Sequence, residues 1–82
     1  MLTIYSKNHC PFCDQAKALL QRKNIAFEEI KIDESPEARQ FVMEAGHRTV
    51  PQIYKDGKVF VEGGYSGLSK LTDADFKKLL EG

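Results

Sequence analysis

The alternation of apolar and polar residues predicts a first β-strand from Leu2 to Ser6, in a stretch rich in β-forming residues. Apolar residues then recur at helical spacing from about Pro11 to Lys23. Proline suits the first position of a helix, and Asp14 complements the positive end of the helix dipole. The sequence therefore predicts a strand that leads directly into a helix.

A second strand and a second helix follow the first pair. Residues alternate again from Phe27 to Ile32, which predicts a strand. Ser35 and Pro36 are a typical helix start, and the apolar residues that follow lie at helical spacing as far as Gly46, a residue common at helix ends. The first half of the chain is thus a β-α-β-α pattern.

The second half begins with a predicted hairpin. The segments Gln52–Lys55 and Lys58–Glu62 flank Asp56-Gly57, a dipeptide that favours a two-residue turn. Apolar residues between Ser66 and Leu80 have helical spacing, and a capping box is present inside this segment, formed by Thr72 and Asp75. The pattern leaves open whether this segment is one bent helix or two pieces.

The element order β-α-β-α-β-β-α predicts an α/β fold. Two strands joined through a helix are parallel neighbours, and the hairpin adds antiparallel strands. We therefore expect one domain over residues 1–82, with a four-stranded mixed sheet flanked by three helices. Hydrophobic residues make up 41% of the 82-residue chain and charged residues 29%, which is typical of a globular domain.

Charge and hydropathy limit the classes of partner. There are 12 Lys and Arg and 12 Asp and Glu residues, so the balanced charge gives no attraction to nucleic acid or to an anionic membrane. The N-terminal segment is too short and too polar for a signal peptide, and no apolar run approaches the roughly 20 residues that span a bilayer. We expect a soluble, monomeric protein of the cytoplasm.

The strongest chemical signal is the pair Cys10 and Cys13, which opens the predicted helix directly after a strand. The free N–H groups and partial positive charge of a helix start stabilise a thiolate, and the thiolate is the form that attacks disulfides. We therefore predict that Cys10 is the nucleophile and that Cys13, one turn further on, is the resolving thiol. Pro11 between them stiffens the loop.

A metal site is the alternative for this cysteine pair. Zinc and iron–sulfur sites use cysteine ligands, but the chain has no second Cys-x-x-Cys to complete a tetrahedral set. His9 and His47 do not have a spacing found in common zinc sites. We therefore predict no metal ligands, and a metal-binding or iron–sulfur module is the alternative from a different functional class.

Thr49, Val50 and Pro51 precede the first hairpin strand. This proline has two interpretations: it is an ordinary residue at the entrance of a strand, or the Val50–Pro51 bond is cis. In the second interpretation the backbone of Val50 forms a short edge that faces Cys10 and pairs with an extended thiol peptide.

Three motifs together resemble the glutaredoxin family over nearly the whole chain. They are Cys10-Pro11-Phe12-Cys13, Thr49-Val50-Pro51-Gln52-Ile53 and Gly63-Gly64-Tyr65. The resemblance implies a thioredoxin-like fold, a cis Pro51 and a glutathione-dependent dithiol–disulfide oxidoreductase that reduces protein disulfides and glutathionylated proteins. No tightly bound cofactor is implied, since glutathione is a reducing co-substrate.

The resemblance also implies a glutathione groove between the active-site loop, the proline segment and the paired glycines. Lys7 and Arg48 would hold the glycyl carboxylate, the backbone of Val50 would pair with the peptide, and amides near Tyr65 and Ser66 would hold the γ-glutamyl carboxylate. The complete set of expected glutathione contacts is Lys7, Phe12, Arg48, Thr49, Val50, Pro51, Gly64, Tyr65 and Ser66.

One departure from the family pattern supports a second candidate with the same chemistry. Many glutaredoxins have an acidic residue after the paired glycines, whereas this chain has Ser66-Gly67. Tyr65-Ser66-Gly67-Leu68 is similar to the glutaredoxin-like electron donors of ribonucleotide reductase, which accept electrons from thioredoxin reductase. Those proteins usually lack the Pro-aromatic dipeptide between their cysteines.

Overall fold

The structure, a computed structural model, describes residues 1–81. These residues form four strands and four helices in the order β-α-β-α-β-β-α-α. The elements are β1 (Leu2–Ser6), α1 (Pro11–Arg22), β2 (Phe27–Lys31), α2 (Pro36–Glu44), β3 (Gln52–Lys55), β4 (Lys58–Val61), α3 (Gly64–Ser69) and α4 (Asp73–Glu81).

The four strands form one mixed sheet in the order β2-β1-β3-β4. Strand β1 pairs in parallel with β2 and antiparallel with β3, and β3 pairs antiparallel with β4. Strand β1 therefore lies in the middle of the sheet, and its C-terminal end leads into the cysteine segment. The prediction of a four-stranded mixed sheet is confirmed.

Helices cover both faces of the sheet. On one face, α1, α3 and α4 bury an apolar core against the strands, formed by Leu2, Ile4, Ala16, Leu19, Leu20, Ile53, Phe60, Leu68 and Phe76. On the other face, Phe41 of α2 packs on Tyr5 and Tyr54, whose ring centroids lie 5.3 and 5.4 Å away. Alternate residues of each strand thus face opposite layers, as strand geometry requires.

The structure has four helices, and the predicted total of three is wrong. The C-terminal segment, which the sequence pattern left open as one bent helix or two pieces, forms two helices, α3 and α4. Helix α3 ends in tight turns, in which the Lys70 and Leu71 N–H groups donate to carbonyls three residues earlier. A new helix then starts at the capping box: the Asp75 N–H donates to Thr72 Oγ1 at 3.1 Å, and the Thr72 N–H donates to Asp75 Oδ2 at 3.0 Å. These reciprocal bonds satisfy free amides of a helix start, so the segment divides there.

The four helices within residues 1–81 are 6 to 12 residues long. None of them combines the length and the apolar character that a membrane-spanning helix needs.

Candidate active site

Cys10 occupies the N-cap position of α1, in an extended backbone conformation with φ −118° and ψ 99°. Its Sγ accepts a hydrogen bond of 3.2 Å from the Cys13 N–H. The two cysteines form a disulfide, with their Cα atoms 5.2 Å apart. The sulfur that caps the helix is therefore also one half of the disulfide.

The two sulfurs differ in their access to solvent. Cys13 faces the core and is 1% exposed, while Cys10 is 6% exposed. The Cys10 Sγ also lies 3.9 Å from the carbonyl oxygen of Val50. Cys10 is therefore the slightly more exposed residue of the pair, and its sulfur lies beside the backbone of Val50.

A groove of about 480 Å³ lies beside the cysteines, between the start of α1, the segment before β3 and the start of α3. Its lining contains seven of the residues that were predicted to contact glutathione. The lining residues are Phe12, Thr49, Val50, Pro51, Gly63, Gly64, Tyr65, Ser66 and Ser69. Residues from three distant parts of the sequence therefore meet at one surface.

The proline loop, which we define as residues Arg48–Pro51, forms one wall of this groove. The Val50–Pro51 peptide bond is cis. Gln52, which is buried, donates a hydrogen bond of 2.7 Å from its side-chain amide to the carbonyl of Thr49. The backbone of Val50 is thereby held beside Cys10.

Gly64 forms the opposite wall, and its lack of a side chain lets α3 approach the proline loop. Its φ is +57°, and a Cβ at this position would lie 2.7 Å from the carbonyl oxygen of Pro51. Any other residue would push the two walls apart. Gly64 therefore allows the proline loop, through the Pro51 carbonyl, to approach the start of α3 closely.

Two aromatic rings stand at the rim of the groove. Phe12 is 60% exposed although its position follows the apolar spacing of α1. Its ring centroid lies 6.2 Å from that of Tyr65, with the ring planes inclined at 31°. The exposed Phe12 ring and the half-buried Tyr65 ring together present an apolar surface beside the start of α1.

The turn that leads into Cys10 is held by Asn8. Its backbone N–H donates to Asp33 Oδ2 at 3.0 Å, its side-chain amide donates to Glu34 Oε2 at 2.8 Å, and its side-chain carbonyl accepts from Lys31 Nζ at 3.0 Å. The bond from the Asn8 backbone holds the pKa of Asp33 below its usual value. The β2–α2 connection thus fixes the start of the cysteine segment.

A half-buried ionic network supports α1 one turn beyond Cys13. Lys17 Nζ lies 2.8 Å from Glu29 Oε2 and 3.5 Å from Asp14 Oδ1, and the Ser6 hydroxyl donates to the same Glu29 oxygen at 2.7 Å. The bonds from Lys17 and then Ser6 hold the pKa of Glu29 below its ordinary value, and the bond to Glu29 raises the pKa of Lys17. We call these four residues the Lys17 network.

Two of the predicted contact residues lie outside the groove. Lys7 is exposed on the segment between β1 and Cys10 and does not line it. Arg48 is also exposed and lines a neighbouring cavity of about 290 Å³, which it shares with Arg39 and Val50. These two side chains are thus not part of the groove's wall.

The sequence-based site also missed two residues that line the groove, Gly63 and Ser69. Gly63 belonged to the recognised glycine pair but was not among the expected contacts. Ser69 lies one turn after Ser66 on α3, and its hydroxyl donates to the Ser66 carbonyl at 3.0 Å. Knowledge of the start of α3 would have placed Ser69 beside Ser66, since residues three apart are neighbours on a helix.

The donors available for a metal ion are sparse in the part of the chain that the structure describes. Within residues 1–81, no three His, Cys, Asp or Glu side chains come together closely enough to hold a metal ion.

A family model described as Glutaredoxin matches residues 2–60, a span that includes both cysteines and the proline loop. The chain belongs to the glutaredoxin family. It is accordingly a thiol–disulfide oxidoreductase, and the placement of its two cysteines at a helix start beside a groove provides the chemistry that this activity needs.

Individual glutaredoxins and relatives resemble the chain to different extents. The chain is 46% identical to the glutaredoxin-like protein NrdH of Lactococcus lactis over 71 residues, which are 87% of this chain and 99% of the relative. It is 43% identical to glutaredoxin 3 of Escherichia coli over 56 residues, 67% of this chain and 68% of the relative. Both the glutaredoxins and their NrdH-type relatives are therefore similar to it.

The fold is shared with a solved glutaredoxin. A crystal structure described as the buckwheat glutaredoxin–glutathione complex superposes with a TM-score of 0.77 and 25% identity, covering 98% of this chain and 76% of the other. The predicted thioredoxin-like fold is confirmed, with four helices in place of three.

Proposed function

We propose that the protein uses glutathione to reduce protein disulfides and glutathione mixed disulfides through Cys10 and Cys13. The observation that carries this proposal is the position of the Cys10 sulfur, which caps α1 and lies 3.9 Å from the Val50 carbonyl, at the edge of the groove. The shared fold with a glutaredoxin whose structure is described as a glutathione complex supports the choice of reductant.

Glutathione is a short extended peptide with two carboxylates, and the groove offers complementary groups. The backbone of Val50 is available for pairing with an extended chain, and the amides in the first turn of α3, at Tyr65 and Ser66, suit the γ-glutamyl carboxylate. Lys7 and Arg48 are exposed cations and would bind the glycyl carboxylate from outside the groove.

With a glutathionylated protein, the Cys10 thiolate attacks the glutathione sulfur. A Cys10–glutathione disulfide forms, and the protein leaves as a thiolate that takes a proton from water. A second glutathione thiolate then attacks the sulfur of the bound glutathione, which releases oxidised glutathione and regenerates the Cys10 thiolate. One free glutathione is consumed for each glutathionylated protein, because the other half of the oxidised glutathione comes from the substrate.

With a protein disulfide, both cysteines take part. Cys10 attacks one sulfur and releases the other as a thiol, and Cys13 then attacks Cys10, which frees the reduced protein and leaves the Cys10–Cys13 disulfide. Two glutathione molecules reduce this disulfide in turn. The burial of Cys13 suits this order, because it is shielded until the mixed disulfide forms beside it.

The test is a coupled assay with NADPH, glutathione reductase and glutathione, with a glutathionylated peptide as substrate. NADPH consumption should depend on the protein and disappear in Cys10→Ser. Cys13→Ser should retain turnover of the glutathionylated peptide and lose turnover of a protein disulfide. Activity that survives Cys10→Ser would contradict the assignment of the nucleophile.

A second candidate with the same chemistry is a thioredoxin-reductase-dependent electron donor for ribonucleotide reductase. Two observations favour it: Ser66-Gly67 stands where many glutaredoxins have an acidic residue, and a relative named NrdH is 46% identical over 87% of the chain. Replacing glutathione and its reductase by thioredoxin reductase in the same assay distinguishes the two candidates. Faster reduction of the Cys10–Cys13 disulfide by thioredoxin reductase than by glutathione would favour the second.

The cellular setting follows from the proposed chemistry. We place the protein in the cytoplasm, because the glutathione pool there is reducing. The balanced charge of the chain gives it no electrostatic attraction to nucleic acid or membranes, and we expect it to act as a monomer on its protein substrates. Gel filtration of the reduced protein tests the oligomeric state.

A further inference from the structure

A hydrogen bond outside the groove fixes the entrance of the proline loop. His47 immediately precedes the loop, and its Nε2 lies 2.7 Å from the hydroxyl oxygen of Tyr54 in β3. The two rings meet edge to face, with centroids 5.7 Å apart and planes at 88°. The residue before Arg48 is therefore bound to the sheet and not only to its chain neighbours.

Tyr54 is a rigid partner for this bond. It is 5% exposed, and its ring packs against the rings of Tyr5 and Phe41 at centroid distances of 5.5 and 5.4 Å. Its backbone belongs to β3, where it is the register partner of Thr3 in the central strand β1. The hydroxyl thus projects from the sheet at a fixed position, and the loop takes its position from it.

The proline loop is held at its other end as well. The Gln52 side chain donates to the Thr49 carbonyl, and Gly64 lies against the Pro51 carbonyl. The backbone of Val50 lies between these attachments, beside the Cys10 sulfur. The His47–Tyr54 bond completes the set by fixing the N-terminal side of the loop.

We infer that Tyr54 and His47 are positioning residues, which hold the proline loop so that the Val50 backbone is ready to pair with an extended substrate peptide. This inference rests on the proposed function, in which that backbone binds the peptide. Neither side chain touches the sulfur or lines the substrate groove, so their effect is on substrate pairing and not on the reactivity of the thiolate.

The size of the effect follows from the bond that is lost. If the His47–Tyr54 bond is removed, each incoming substrate must order the proline loop as it binds. The resulting loss of binding free energy is at most the free energy that the bond contributes. A typical net hydrogen-bond contribution corresponds to a change of about two- to tenfold in an equilibrium constant. We therefore expect kcat/KM for a glutathionylated peptide to fall by roughly three- to tenfold when the bond is removed.

The experiment compares Tyr54→Phe with the matched control Tyr5→Phe. Each variant loses one hydroxyl from the same aromatic cluster, but within residues 1–81 only the Tyr54 hydroxyl is hydrogen-bonded to the segment before the proline loop. Two rates are measured for each: kcat/KM in the coupled assay, and alkylation of reduced Cys10 by iodoacetamide. We expect Tyr54→Phe to lower kcat/KM with unchanged alkylation, and Tyr5→Phe to change neither.

A double-mutant cycle completes the test. His47→Ala removes the bond from its half-buried loop end, so it gives a readout even if Tyr54→Phe lowers the stability of the protein. The double variant should be no worse than either single variant, because both remove the same bond. Additive losses, an equal loss in Tyr5→Phe, or an unchanged kcat/KM in Tyr54→Phe would overturn the inference. Failure of the proposed function would be recognised separately, since the wild-type protein itself would then show no turnover with glutathione.

Discussion

Replacement of Lys17 by methionine tests whether the Lys17 network stabilises the helix that presents the cysteines. The substitution keeps most of the apolar stem of the side chain and removes the ammonium group that lies 2.8 Å from Glu29 Oε2. The Lys17 and Glu29 side chains are each only 24% exposed, so water replaces the lost partner incompletely. The Ser6 hydroxyl remains as a hydrogen-bond donor to the carboxylate.

The expected loss of unfolding free energy in Lys17→Met lies between two reference cases. Fully exposed ion pairs contribute about 0.2 to 1 kcal/mol, whereas hydrogen bonds to charged groups contribute about 1.5 to 3 kcal/mol. The Lys17–Glu29 pair is about three-quarters buried and is partly screened by water. We therefore expect it to contribute about 1 to 2 kcal/mol to the free energy of unfolding at pH 7. Lys77→Met is the matched control, because Lys77 is exposed on α4, has no ion pair within residues 1–81, and carries the same charge.

Acid pH provides the second half of this test. Folding lowers the pKa of Glu29, so its contribution is present above the pKa of the unfolded carboxyl and is lost as the pH falls through the folded value. The difference in unfolding free energy between the two variants should therefore begin to shrink as the pH falls below the ordinary glutamate pKa of about 4.3. Urea unfolding of both variants, followed by circular dichroism at pH 7 and pH 3, measures this difference in unfolding free energy. Equal stabilities of Lys17→Met and Lys77→Met at pH 7 would refute the reasoning.

Two further substitutions test the groove and the core. Gly64→Ala should lower kcat/KM for a glutathionylated peptide by more than tenfold (about 1.4 kcal/mol), because the new Cβ would lie 2.7 Å from the Pro51 carbonyl oxygen and push α3 away. Gly57→Ala is the control, because Gly57 also has a positive φ, of +82°, but a Cβ there would meet nothing within 4 Å. Equal activity of the two variants would argue against a tight wall. Leu20→Ala, at a fully buried position of α1, should lower the unfolding free energy by about 2 to 5 kcal/mol in urea. A loss below about 1 kcal/mol would mean that this part of the core is loosely packed.

Most of the fold could be predicted because its local signals are strong. Alternation defines β1 and the Asp56-Gly57 turn signal defines β3 at their observed ends, and the helix-start signals at Pro11 and Pro36 place α1 and α2 correctly. The division of the C-terminal segment was not predictable from spacing alone. The apolar residues on either side of Thr72 fit one continuous stripe, and the break depends on whether the capping box outweighs the continuation of α3.

The site was predictable only where a motif marks it. The cysteines and the proline loop stand out in the sequence, whereas the Lys17 network joins residues from β1, α1 and β2 that have no common spacing. Nothing in the sequence around His47 indicates that its ring meets Tyr54. Such contacts depend on which side chains the sheet brings to the same layer, and this is set by strand register and not by local pattern.

The order of the strands has a consequence for how the molecule meets other extended chains. Strands β2 and β4 lie at the two sides of the sheet, where unpaired backbone groups invite aggregation. Strand β2 carries charges at Glu28, Glu29 and Lys31, and a register irregularity interrupts the pairing of β3 with β4. Both features disfavour the addition of a foreign strand. The two edges of the sheet are therefore poor docking sites for an extended polypeptide, which under the proposed function pairs instead with the backbone of Val50 beside the Cys10 sulfur.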